Sequence, residues 1–115
     1  MDLHFVEPDE APVPPDAVKV RRIDLVPRSD GRRIVVHLEL TPFLERPTVE
    51  VVLIHPSGEV AAETSIIETV DHQLEFTLHL RSPAQAGEYR CRVTVGYRGQ
   101  PPVDEHEVSF EMPTA

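Results

Sequence analysis

A strict two-residue alternation constrains this chain more than any other feature. Leu74, Phe76, Leu78 and Leu80 alternate with Glu75, Thr77, His79 and Arg81; Ile34, Val36, Leu38 and Leu40 alternate with Arg33, Val35, His37 and Glu39. Successive side chains of a strand point to opposite faces, so each run reads as a strand with one face in a core and the other in water. Shorter β-type runs occupy residues 18–26, 48–55, 60–68 and 89–97, and a last strand carries Val108, Phe110 and Met112 on its inner face. Turn residues separate them, as in Pro27-Arg28-Ser29-Asp30-Gly31, Pro56-Ser57-Gly58-Glu59 and Gly99-Gln100-Pro101-Pro102. No stretch of about ten or more residues carries an apolar 3.6-residue period, so essentially no helix is expected. Seven strands, each too short to bury both faces alone, must form two facing sheets. The weak run at 60–68 is expected at an edge.

The chain of 115 residues suits one core, and its 40% hydrophobic content is enough to fill it. Residues 7–17 hold four prolines and four acids, which forbid a helix or a central strand and favour an extended, solvated linker. The expected division is an acidic, Pro-rich tail at 1–17 and a sandwich at 18–113. Within the tail, Leu3-His4-Phe5-Val6 is a small apolar patch able to add a strand to a neighbour.

Charge and leader signals exclude some classes of function. Eleven basic residues against 20 acidic ones give a net charge of −9. Phosphate affinity comes chiefly from Lys and Arg, so neither nucleic acid nor a membrane is expected as a partner. No apolar run of about 18 residues is present, which excludes a membrane-spanning helix. Met1-Asp2-Leu3-His4 lacks a basic secretory n-region, so a cytoplasmic location is expected. Cys91 is the single cysteine, so packing replaces any internal disulfide. The cations are ten Arg and only Lys19, with no Asn anywhere, a bias better explained by GC-rich codons than by thermal adaptation.

The segment Ala86-Gly87-Glu88-Tyr89-Arg90-Cys91 resembles the start of the sixth strand in immunoglobulin-like domains. The resemblance implies a tyrosine corner, in which Tyr89 turns its ring inward and bonds its hydroxyl to nearby backbone, with Cys91 as a core thiol. Three departures point away from antibody-type domains and toward the fibronectin type III or macroglobulin-like side of the superfamily. Gln85 stands where an acid is usual, no second Cys faces Cys91, and there is no Trp. The expected fold is an all-β, seven-stranded, two-sheet immunoglobulin-like sandwich. The motif implies fold and carries no functional residues.

Candidate chemistry is sparse. His37 and His79 lie at outward positions on strands expected to be neighbours, where a cross-strand pair could supply two zinc ligands. No Cys-x-x-Cys or His-x-x-x-His spacing supplies the rest, so solvated histidines are expected and no metal site or cofactor. His106, in phase with Val108, is expected on the inner face. His55-Pro56-Ser57 sets a hydroxyl near a base, but without a strand-to-helix elbow, so Ser57 is read as a turn residue. Cys91 points inward, where a thiol is inert. Arg90 and Arg92 should face outward beside Glu107, Ser109 and Glu111, and either odd register of that hairpin sets at least one Arg opposite a Glu in a cross-strand charge ladder. No catalytic constellation stands out, and an enzyme is not expected.

One anomaly remains on the third strand. Val52 and Ile54 make its outer face apolar where a half-wet sheet should be polar. A partner subunit, the segment at 3–6, or the stems of Arg90 and Arg92 could cover them. The leading reading is a non-enzymatic interaction or structural module that binds a protein partner, or its own copy, through a sheet face or edge strand. The alternative is a carbohydrate-type ligand-binding module, which usually stacks sugars on exposed aromatics; here both Tyr89 and Tyr97 alternate inward. A metal protein or enzyme ranks last.

Overall fold

The computed structural model describes residues 11–82 and 85–112. The strongest alternation becomes the centre of one sheet. Strand β2 (Arg33–Leu40) buries Ile34, Val36, Leu38 and Leu40, each no more than 2% exposed, between β1 (Val20–Pro27) and β5 (Gln73–His79). The second sheet is built from β3 (Thr48–Ile54), β4 (Val60–Ile66), β6 (Gly87–Gly96) and β7 (Asp104–Met112), in the order β4-β3-β6-β7. Val49, Val51 and Leu53 of β3 and Tyr89, Cys91, Val93 and Val95 of β6 meet the first sheet. The fold is therefore an all-β, seven-stranded sandwich of two antiparallel sheets. Among the described residues, helix is confined to a single 3-10 turn at Pro15–Ala17, where prolines at the start of the turn lose no needed N–H.

Topology differs from the constant-type immunoglobulin order, in which the fourth strand joins the first, second and fifth. Here β4 pairs with β3 and forms the edge of the four-stranded sheet. The open sides are closed by β1 against β7 and β4 against β5. A backbone-to-carboxylate bond ties the first of these, as Val20 N–H donates to Asp104 Oδ2 at 2.7 Å.

Two bulges break the simple period. In β1 the pairing passes from Val20↔Leu40 to Arg22↔Glu39, which leaves Arg21 as the extra residue. Val18 and Val20 thus point inward before the bulge, and Ile23 and Leu25 after it. In β4 the partners pass from Leu53↔Ala62 to Ile54↔Val60 across Ala61.

The sequence places His106 inside, and the structure does not. Its side chain is 51% exposed, with Nε2 3.7 Å from Asp104 Oδ2. It keeps the inward phase, but β7 is an edge strand and the facing sheet is one strand narrower, so nothing seals that position. The segment at 3–6, suggested as an extra strand, lies outside the described residues. Within the Pro-rich stretch Val13 forms a parallel bridge with Phe43, and Val18, just beyond it, is fully buried. No helix among the described residues is long and apolar enough to cross a membrane.

Candidate functional site

The alternating strand directions collect the connections at two poles. One pole carries the β1–β2 and β3–β4 turns and the β5–β6 loop, and it is tightly closed. Tyr89 is 1% exposed and its hydroxyl accepts the Gln85 N–H at 3.2 Å, which forms the tyrosine corner. Its ring lies edge-on to His55 at 5.3 Å and tilted to Phe110 at 5.8 Å. Behind it Cys91 is fully buried, and desolvation pushes its thiol from 9.0 to about 11, so it stays protonated and inert near neutrality. Ser57 fastens its turn: its N–H donates to His55 Nδ1 at 3.0 Å, and its Oγ accepts the Glu59 N–H at 3.3 Å.

The residues singled out on the sheet faces are mostly engaged within the chain. Val52 is half-buried, with Arg92 on one side and Glu63 on the other; Ile54 is 7% exposed, between Arg90 and Val60. Both arginines converge on Glu107, at 3.6 Å from Arg90 Nη1 and 3.2 Å from Arg92 Nη2, and this forms the expected ladder. The strands of His37 and His79 are indeed neighbours, but the register separates the two rings. His37 faces Glu75, with Nδ1 3.3 Å from its carboxylate, while His79 faces Arg33. Among the described residues, no three His, Cys, Asp or Glu side chains are grouped to hold a metal ion.

The opposite pole is different. It gathers the N-terminal arm with the β2–β3, β4–β5 and β6–β7 connections. Hydrogen bonds knit these together: Leu44 N–H to the Val13 carbonyl at 3.0 Å, Thr69 N–H to the Pro47 carbonyl at 2.9 Å, and Tyr97 O–H to the Glu45 carbonyl at 2.9 Å. Thr69, a polar residue, is 4% exposed and donates its hydroxyl to the Asp71 carbonyl, while its apolar neighbours Ile67 and Val70 are 72% and 68% exposed. Leu44, at the same pole, is 66% exposed. That order inverts the usual preference of apolar groups for the interior. Next to Thr69, Glu68 holds φ at 49°, the one positive value among described non-glycine residues.

An open groove of about 980 Å³ runs between these loops and the end of the four-stranded sheet. Ile67, Glu45, Glu50 and Glu68 line it with Tyr97 and Arg98. Tyr97 corrects the sequence reading, which turned it inward. Strand β6 ends at Gly96, so the alternation stops one residue short and the ring sits half-buried at the groove. Burial and the Glu45 carboxylate both raise its phenol above the ordinary value. No sequence motif marks this pole, because its residues come from three separate connections; only the consecutive Ile66 and Ile67 at a strand end hint at an outward apolar group.

No protein-family model matches the chain, and no curated protein does. Solved structures show the same architecture. A β-glucuronidase from Ruminococcus gnavus, in complex with D-glucuronic acid, matches 85% of this chain with a TM-score of 0.60 and 20% identity. A glycosyl hydrolase family 2 member from Bacteroides cellulosilyticus matches 82% with a TM-score of 0.59 and 13% identity. The chain spans only 16% and 15% of those two chains. At such identities the likeness is one of fold: a small β-sandwich that is part of a much larger protein.

Proposed function

We propose that this chain is a non-catalytic interaction module that binds a protein partner through its loop pole. One observation carries the reading. Of five exposed large hydrophobic side chains among the described residues, Leu44, Ile67 and Val70 lie at that pole, on loops held by backbone hydrogen bonds. Apolar groups grouped on a fixed frame beside a groove are what a partner surface uses, since little ordering entropy is lost on docking. The edges of the four-stranded sheet are less suited, because β4 carries the Glu63–Arg81 pair and β7 the Glu107 ladder, charges that discourage strand addition.

The sandwich itself is read as immunoglobulin-like. The tyrosine corner supports this, and the pairing of β4 with β3 agrees with the non-antibody side of that superfamily. A core closed around an unpaired thiol suits a reducing compartment such as the cytoplasm.

Crosslinking capture from native lysate tests the reading with wild type, Leu44→Asp/Ile67→Asp and Val52→Arg, each checked by circular dichroism. Proteins captured by wild type and Val52→Arg but lost with the pole variant support it. Loss with Val52→Arg alone moves the interface to the sheet face of Val52 and Ile54, and light scattering on the same samples reports self-association. A second reading, a carbohydrate-binding module, is favoured by Tyr97 at a groove lined with polar groups and by the glycosidase neighbours. It ranks lower because the Tyr97 hydroxyl already holds Glu45. Calorimetric titration with D-glucuronic acid and short oligosaccharides, against Tyr97→Ala, checks it.

A further inference from the structure

The charges around the groove say what kind of segment the pole would take. On the sheet faces some acids pair with cations, Asp24 with Arg22, Glu63 with Arg81, and Glu107 with Arg90 and Arg92, while among the described residues Glu39, Glu88 and Glu111 make no ion pair. Around the groove, Glu45, Glu50 and Glu68, and also Arg46 and Arg98, make no ion pair among the described residues. Three carboxylates outnumber two guanidinium groups there, and the chain as a whole carries −9. Burial first, and the Glu45 carboxylate second, raise the Tyr97 phenol at the same groove. Ile67 supplies an apolar contact within reach of these charges, at 72% exposure.

Resting on the reading of the pole as a docking surface, we propose that the groove accepts a protein segment that presents a lysine or arginine beside an apolar side chain. The cation meets Glu45, Glu50 and Glu68, the apolar group covers Ile67, and Arg46 and Arg98 meet backbone carbonyls or a carboxylate of the same segment. Nucleic acid and anionic lipid are disfavoured occupants, since the chain's net charge repels phosphate.

Nuclear magnetic resonance titration tests the proposal with two acetylated, amidated peptides, Gly-Leu-Lys-Leu-Gly and Gly-Leu-Glu-Leu-Gly. The lysine peptide should shift the amides of residues 67–68 and 96–100 saturably, with a Kd of about 1 mM, as suits a fragment of an interface. Glu50→Gln/Glu68→Gln should weaken it about threefold to tenfold, as expected for losing two exposed ion pairs, with spectra unchanged elsewhere. The glutamate peptide should give no saturable shift. Equal binding of both peptides, indifference to the glutamine variant, or no saturable shift with the lysine peptide overturns the basic-segment proposal. The docking reading stands or falls separately, on whether the Leu44→Asp/Ile67→Asp variant loses its captured proteins.

Discussion

At the scale of single residues, Tyr89 and Cys91 seal one end of the core by different means. The Tyr89 ring fills space between His55 and Phe110, while its hydroxyl holds the Gln85 N–H. Tyr89→Phe keeps the ring and loses only that bond, so urea unfolding should show a loss of about 1 kcal/mol. Tyr89→Ala removes the ring as well and should cost about 3–5 kcal/mol. Equal losses in the two variants would mean that the hydroxyl, not the ring, dominates. Cys91 gives a prediction in pH. Its thiol ionises at about 11 in the folded chain against 9.0 when solvated. As pH rises above 9.0 the unfolded chain releases this proton and the folded chain keeps it, so the native state loses about 1.4 kcal/mol per pH unit until about 11. Below that window the contribution is fully present. Cys91→Val lacks the group, so its stability relative to wild type should rise between about pH 8 and pH 10 in parallel urea melts. An unchanged difference would show that the thiol is not shielded as described.

At the scale of elements, the β3–β4 turn and the start of β6 meet so closely that one residue type fits. Gly87 has φ of 139°, and a Cβ placed there would sit 2.9 Å from Pro56 Cγ. Gly87→Ala therefore meets two penalties, a disfavoured backbone and a clash, and should lose about 1–3 kcal/mol. Adding Pro56→Ala relieves the clash but not the backbone term, so a double-mutant cycle should recover part of the loss. Full recovery would leave φ without a cost. The elements themselves were largely legible, because alternation in β2, β5 and β6 reports directly on a core-facing side. What escaped depends on pairing. The Arg21 and Ala61 bulges exist only relative to a partner strand, and the placing of β4 beside β3 is a choice between two available edges. His106 kept its phase but lost its cover, which no single strand can reveal. The candidate pole escaped for the same reason: Leu44, Ile67 and Tyr97 are far apart in sequence, and strand direction alone brings them to one end.

At the scale of the whole molecule, the source of stability decides how the arginine-rich composition should be understood. Two facing sheets bury Ile34, Val36, Leu40, Val49, Val51, Leu53, Val93 and Val95 completely, and burial of one such side chain contributes about 1.5–3 kcal/mol. The ion pairs are different. Arg22–Asp24, Arg81–Glu63 and Arg92–Glu107 have side chains between 37% and 68% exposed, where each pair contributes about 0–1 kcal/mol and salt screens it. Ten arginines thus do not amount to a thermophile's buried or dense network, and the core must carry the fold. Scanning calorimetry should find a reversible transition at about 45–65 °C, the ordinary range for a mesophilic domain. With a single buried cysteine, a reductant should not move the midpoint. Raising salt to about 1 M should shift it by only a few degrees, because lost pair attraction is offset by screening of the repulsion within a chain of net charge −9. A midpoint above about 90 °C that falls steeply with salt would show instead that surface charges, and not the packed aliphatic layers, hold the two sheets together.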